Sequence, residues 1–287
     1  MELVVTTIIN ALILSAMYIL TSLGFAFLFN MLRIFNFAHG AIYMIGGYLA
    51  YYFIVGMGLN HWIALLIATL IVAAFALFLE RYCFRRLVGN FNLIVMMGVA
   101  LVVILQTTVN IMVGDRTLAI PPFAEGVFRT GAIAISYEKM LYFVVGGILL
   151  AAVMWFVNRT KIGHQMQAIA QNRDGAILQG INVHRISAIA FAVGCGLAAI
   201  AGCFMGAYLR LSPFMGDLML VKVLIIFMLA GAGSIGGILI AGLVLGVLTA
   251  TLPVVVGGSG SDAIIIVIVV VLLLFRPQGF FGYEVEM

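Results

Sequence analysis

Uncharged apolar stretches close to the length of a bilayer-crossing helix recur along almost the whole of this 287-residue chain, and nothing else in it narrows the fold as much. Residues 140–157 contain no charge at all, and the only hydroxyls in 186–209 are Ser187 and Tyr208. About 20 apolar residues in a row suffice to cross a hydrocarbon core. A helix is the form in which such a stretch satisfies its own N–H and C=O groups where no water is present. Composition closes the alternative. Charged residues are 8% and apolar residues 65% of the chain, against roughly 25% charged in soluble domains, so a water-soluble fold would lack polar side chains to cover itself. The fold class expected is all-α, a polytopic transmembrane helical bundle.

Apolar runs place helices at 5–30, 37–56, 61–79, 91–113, 140–158, 186–209, 218–232, 235–256 and 262–275, about eight to nine spans. The last run is short and is extended by the turn at 257–261 or tilted into a neighbour. The first run is preceded only by Glu2 and is too long for the h-region of a cleaved signal, so it reads as a permanent span. Cys83, Cys195 and Cys203 have no metal-like spacing and read as small apolar fillers.

Lys and Arg mark the cytoplasmic side. Arg81, Arg85 and Arg86 form one group, Arg159, Lys161, Arg173 and Arg185 a second, and Arg276 follows the last run. All fall on one side if the spans alternate. The connection at 114–139, where Arg116, Arg129 and Lys139 are balanced by Asp115, Glu125 and Glu138, then lies outside, with the amino terminus outside and the carboxyl terminus inside. The chain reads as one transmembrane domain over 1–287 with a cytoplasmic loop at 159–185. Its net charge of +4 is spread between spans, which excludes a nucleic-acid patch and leaves membrane lipid as the surrounding partner. Leu32, Arg33 and Phe37 are echoed in spacing by Leu209, Arg210 and Phe214, each set preceding a Gly-interrupted helix. Facing opposite sides, the two copies would suit an inverted repeat with binding elements near the midplane.

Three segments could hold function. In TKIGHQMQAIAQNRDGAILQGINVHR, 160–185, Ile162, Met166 and Ile169 line one face of a short helix. Asp174 is placed to cap a second, on which Ile177 and Ile181 share a face. Stripes of this kind beside Arg173 and Gln167 suit docking into a partner's groove; a helix resting on lipid headgroups is the other reading. In RIFNFAHGAIYMIGG, 33–47, Asn36 and His39 open an apolar run. The amides of a helix starting there would point at a cavity and favour a carboxylate. Equally, Asn36 simply caps the helix and His39 bonds a nearby carbonyl. In LAGAGSIGGILIAGLVLG, 229–246, Gly242 and Gly246 allow close helix approach. Asp217 and Lys222 are isolated charges that pair, snorkel or line a path. There is no phosphate-cradling Gly-Lys loop, no metal motif and no nucleophile elbow. Any ATP hydrolysis behind transport therefore belongs to another subunit.

NFAHG at 36–40 with YMIGGY at 43–48, GHQMQAIAQNRDGAILQGINVHR at 163–185 leading into AFAVGCGLAAIAG at 190–202, GAGSIGG at 231–237 and RPQGFFG at 276–282 resemble, in order, the branched-chain amino-acid ABC permeases. Ala230 and Gly231 stand where the family has two adjacent glycines. The resemblance implies an ABC importer permease in a bacterial cytoplasmic membrane, not an enzyme and without a cofactor of its own. It implies as partners a second, often non-identical permease, two ATP-binding subunits that hold ATP and Mg, and an external solute-binding protein. It implies coupling to the ATPase through Gly163, Met166, Gln167, Ala170, Asn172, Ala176 and Gly180, and a substrate path near Asn36, Phe37, His39 and Tyr43. Leu, Ile and Val are the implied substrates, with urea, short amides and aromatic acids as rivals. The reading from another class is a secondary transporter coupled to protons through His39, Asp217 or Lys222.

Overall fold

The computed structural model describes residues 2–32, 35–114, 116–130, 133–231, 234–276 and 278–279. The described residues form eleven α-helices and one hairpin: α1 Glu2–Leu32, α2 His39–Tyr51, α3 His61–Leu79, α4 Phe91–Val113, β1 Val127–Thr130, β2 Ile133–Ser136, α5 Tyr137–Arg159, α6 Lys161–Gln171, α7 Arg173–Leu178, α8 Val183–Tyr208, α9 Met215–Ala230, α10 Ile235–Val256 and α11 Ser261–Phe275. Side-chain oxygens set several starts. Asn60 accepts from Trp62 N–H at 2.9 Å, Asn90 from Leu93 N–H at 3.3 Å, Asn182 from Arg185 N–H at 3.1 Å and Ser234 from Gly237 N–H at 3.0 Å, which satisfies amides the helix leaves without partners.

Among the described residues, six helices are long and apolar enough to cross a membrane: Val4–Phe29, His61–Leu87, Phe91–Val113, Tyr137–Arg159, Val183–Tyr208 and Ile235–Val256. The apolar helices α9 and α11 have 16 and 15 residues, or about 22–24 Å at 1.5 Å per residue, less than a ~30 Å core, whereas α2 is continued without a break by the π-helical turn Tyr52–Gly56. The most apolar window of α8 is 72% buried, whereas those of α3, α4 and α10 are 28% buried and that of α5 22%. Leu66, Leu70, Met96, Val103, Ile148 and Trp155 all point outward. Apolar side chains directed away from the protein in this number belong in hydrocarbon.

The connection at 114–139 departs from the sequence expectation of a plain loop. Its VFRT and IAIS segments pair antiparallel, Val127 with Ser136 and Thr130 with Ile133, because β-branched and aromatic residues on either side of a short turn favour a hairpin. The turn itself, 131–132, and Asp115 lie outside the described residues.

The chain forms two compact units, 1–22 with 122–150 and 221–287, and 23–121 with 151–220. In the second, glycines let backbones touch. A Cβ on Gly24 would strike the Gly194 carbonyl and the reverse, one on Gly46 would overlap Ala199, and one on Gly202 would occupy the position of the Tyr43 carbonyl. α2 and α1 thereby lie directly on α8. Cys195 and Cys203 are buried in α8 as free thiols. Where α3 runs out through a π-helical turn, Glu80–Phe84, buried Glu80 holds Arg85 by two bonds, of 3.1 and 2.5 Å. In the first unit, Gly242 packs on Ile19 and Gly246 on Ser15, the close approach that their spacing suggested. Ser15 Oγ donates to the Ala11 carbonyl at 2.7 Å.

The sequence echo is one residue out of step with the structure. Its member Arg33 lies outside the described residues. What matches instead, at one constant separation, is backbone geometry. Asn36 Oδ1 accepts from Ala38 N–H as Ser212 Oγ accepts from Phe214 N–H. His39 N–H donates to the Asn36 carbonyl as Met215 N–H donates to that of Ser212, at 3.0 and 3.1 Å. α2 and α9 begin at those two donors, and the glycines that follow, Gly40 and Gly216, sit backbone to backbone, each where the other's Cβ would go.

The α1–α8 crossing gives a direct test. Gly194→Val should lower stability in detergent by about 1–3 kcal/mol through overpacking. Gly147→Ala, at a helical glycine with open space around it, should be neutral or stabilising by up to about 1 kcal/mol. Thermal melting of the two variants measures both.

Candidate functional site

Two regions of the second unit bring the candidate residues together. The first is the loop between α5 and α8. Thr160 caps α6, its Oγ1 accepting from Gly163 N–H at 3.0 Å and donating to the Phe156 carbonyl at 2.6 Å. Gly163 rests on the carbonyls of Phe156 and Val157, which fill the space of a Cβ. Gln167 Nε2 reaches back to the Val157 carbonyl at 3.3 Å and to Asn158 Oδ1 at 3.2 Å. α6 is thus folded tightly onto the end of α5.

That packing corrects two expectations. Met166 and Ile169 are each 3% exposed, so the apolar stripe of α6 is consumed within its own unit and is not offered outward. The cap of α7 is Asn172, whose Oδ1 accepts from Gly175 N–H at 2.8 Å, and not Asp174. Asn172 has the extended backbone of a capping residue, while Asp174 already sits inside the first turn, where it faces the positive end of the helix dipole. Ala176 is buried, Ala170 half-buried and Gly180 exposed with φ of +79°, a turn that favours glycine.

The outward apolar surface lies one turn further along. Ile177 is 51% and Leu178 88% exposed, and Arg173 and Asp174 beside them are exposed as well. Leu178 was missed because it stands off the periodic stripe. The signal for it is a large aliphatic residue just before a Gly-containing turn in an otherwise polar loop.

The second region is the start of α2. Asn36 is fully buried. Its Oδ1 accepts from Ala38 N–H at 3.1 Å, and its carbonyl accepts from His39 N–H, so its side chain folds over the first turn although the capping position itself is held by Ala38. Asn36 Nδ2 is buried with no hydrogen-bond partner among the described residues. His39 is buried, with its ring edge-on to Phe25 at 5.8 Å between centroids. Phe37 is half-buried, and its backbone N–H is 3.2 Å from where a Cβ on Gly98 of α4 would stand. Tyr43 is buried over Gly202 of α8. The four path candidates therefore share one helix start, walled by α1, α4 and α8.

The α4 face that touches Phe37 continues to Gln106, which is buried and donates from Nε2 to Asp217 Oδ1 at 2.5 Å in the first turn of α9. Gln106 had gone unnoticed in the sequence. A lone glutamine in the middle of an apolar run is the signal. In the other unit, Lys222 Nζ donates to Tyr18 Oη at 3.1 Å and lies 3.6 Å from Asp262. The two isolated charges thus each have a partner of their own.

Residues 7–275 match the family model described as branched-chain amino acid transport system, permease component. The chain is 32% identical over 295 residues to the high-affinity branched-chain amino acid transport system permease protein BraD of Pseudomonas aeruginosa, covering 97% of this chain and 96% of that one. It is 28% identical over 293 residues to the corresponding permease protein LivH of Salmonella typhimurium, covering 96% and 95%. A shorter likeness, 33% over 101 residues and 34% of this chain, reaches 26% of the xylose transport system permease protein XylH of Escherichia coli. No solved structure matches.

The capped loop supports a stability prediction. Asn172→Ala should cost α7 about 1 kcal/mol. Amide exchange of Arg173–Leu178 in detergent should accelerate accordingly, while exchange in α8 stays unchanged.

Proposed function

The chain belongs to the branched-chain amino acid transport system permease component family, and from that premise we propose that it is the membrane-spanning subunit through which an ATP-driven importer passes branched-chain or similar hydrophobic amino acids. The observation that carries the reading is likeness along the entire length: the relatives named as high-affinity branched-chain permeases align over 96–97% of this chain. It is a non-catalytic membrane subunit.

In this reading the importer contains a second permease, two ATP-binding subunits that hold ATP and Mg, and an external solute-binding protein, assembled in a bacterial cytoplasmic membrane. The Lys and Arg distribution puts the loop at 159–185 on the cytoplasmic side and the hairpin-bearing connection at 114–139 outside. The coupling element is α6 with α7. Thr160, Gly163 and Gln167 fix α6 to α5, Met166 is buried beneath it, and Asn172 and Gly180 bound α7. The exposed Ile177 and Leu178 offer a groove-filling tip to an ATP-binding subunit. Closure of the ATPase pair would push this tip and rock the attached helices between outward-open and inward-open states.

The path runs past Asn36, Phe37, His39 and Tyr43. The matched starts of α2 and α9 and the reciprocal contact of Gly40 with Gly216 support an inverted repeat, since paired elements related by a twofold axis touch residue for residue. The starts of α2 and α9 are the elements such a repeat would place around a midplane site. Affinity in the permease need only be modest, because the external protein selects the ligand.

Leu178→Asp should reduce ATP-driven leucine uptake by reconstituted complexes at least about tenfold, the cost of setting an unpaired charge in an apolar contact, with unchanged amounts of the subunit in the membrane. Uptake at the wild-type rate would remove α7 as the coupling tip. Accumulation of leucine by vesicles containing this chain alone under a pH gradient would replace the importer by a secondary transporter.

A further inference from the structure

The two matched helix starts are built to the same plan but not from the same residue, and the difference has a use. At α9 a serine hydroxyl accepts from the amide two residues on, Phe214 N–H, at 3.4 Å. At α2 the same bond, to Ala38 N–H at 3.1 Å, is made by an asparagine. A hydroxyl therefore suffices for the structural task. The asparagine brings in addition an Nδ2 donor, and that donor is buried with no partner among the described residues, in a residue that is 0% exposed.

A carboxamide N–H pair without an acceptor is costly in an apolar interior, and an acceptor supplied by a ligand would remove that cost. The surplus donor sits on the same carboxamide whose oxygen is bonded to the first turn of α2, so it is held at the positive end of a 13-residue helix. The intrahelical ladder of α2 opens with Ile42 N–H to the Ala38 carbonyl, which puts the Gly40 and Ala41 amides ahead of the first such bond. These amides and Asn36 Nδ2 are donors, and the macrodipole adds its partial positive charge.

We propose that Asn36 Nδ2, with the amino-terminal end of α2, receives the α-carboxylate of the transported amino acid as it passes. This rests on the permease reading above and deepens it, because it names the chemical group recognised. A carboxylate supplies the acceptor that Nδ2 lacks and the negative charge that the helix start favours. The aliphatic side chain of the substrate would then face the apolar and aromatic surroundings of Phe37 and Tyr43. His39 lies buried beside this start, its ring edge-on to Phe25.

Three variants in the complete reconstituted importer decide the matter. Asn36→Ser keeps an oxygen for Ala38 N–H, as Ser212 does at α9, and removes only the donor. Leucine uptake should fall about tenfold, the value of one good hydrogen bond to a charged group, while the melting temperature of the complex stays at that of the wild type. Asn36→Asp, which presents an anion to an anion, should fall further still. Asn36→Ala should transport as poorly as Asn36→Ser and also melt lower. Asn36→Ser with wild-type uptake, uptake lost only in step with melting temperature, or Asn36→Asp as active as Asn36→Ser would each overturn the carboxylate contact. A wild-type complex that moves no leucine at all would instead sink the permease reading on which it rests.

Discussion

Backbone-to-backbone contact between α2 and α8 is the constraint on which the rest of the second unit depends. Helices in hydrocarbon gain nothing from excluding water from one another, so they associate through close van der Waals packing where small residues permit it. Here Gly46 lies on Ala199, Gly202 on the Tyr43 carbonyl, and Gly24 on Gly194. These contacts settle where α2 can start. With its middle pinned to α8, α2 has its start fixed inside the unit, where Phe37 lies against Gly98 of α4, and its far end runs on through the π-helical turn Tyr52–Gly56. The buried, donor-rich helix start follows from glycine placement, not from any strong preference of NFAHG itself.

Polar groups within the apolar body divide by how well they are answered. Glu80 has both oxygens on Arg85, Asp217 has Gln106, and Lys222 has Tyr18 and Asp262. Each closes locally and serves to join neighbouring segments, which is what a charge near hydrocarbon needs in order to be tolerated. Asn36 differs, since one half of its carboxamide is used and the other is not. The buried oxygens of Tyr48 and Asn110 likewise lack a partner among the described residues, and Asn36 is set apart from them by its place at a helix start. The proton-coupling reading of Asp217 and Lys222 loses its motivation, because both are already engaged.

Most helix boundaries were legible from apolar runs, because hydrocarbon imposes length and the Asn, Ser and Thr residues at the edges impose starts. The expected runs 91–113 and 235–256 coincide with α4 and α10. Gly242 and Gly246 were legible as a packing pair because both lie on one helix at regular spacing, whereas Gly24 with Gly194 was not, since neither glycine alone announces its partner. The sequence echo stands one residue away from the matched bonds because it rests on side-chain identity at Arg33 and Arg210, while what the two helix starts share is the bond pattern around Asn36 and Ser212. The α6 stripe was read correctly as apolar and wrongly as available. Periodicity reports that a face will be buried, not by what.

That last distinction bears on how force could pass through the loop. A docking element that buried its stripe in a partner would be free to swivel on its own subunit whenever the partner let go. α6 is instead committed inward, capped by Thr160, laid on the Phe156 and Val157 carbonyls at Gly163, tied by Gln167, and filled by Met166 and Ile169. Only the short α7, capped by Asn172 and stopped by Gly180, carries apolar residues outward. In the proposed coupling, a push on Leu178 would be delivered through this base to the end of α5 and the start of α8. Because α8 is the helix on which α2 lies, displacement at the loop is mechanically continuous with the helix start that holds Asn36. Both elements belong to one compact unit, so under the proposed coupling a contact made at the loop would reach the buried donor through packed helices, without any charge having to cross the apolar body.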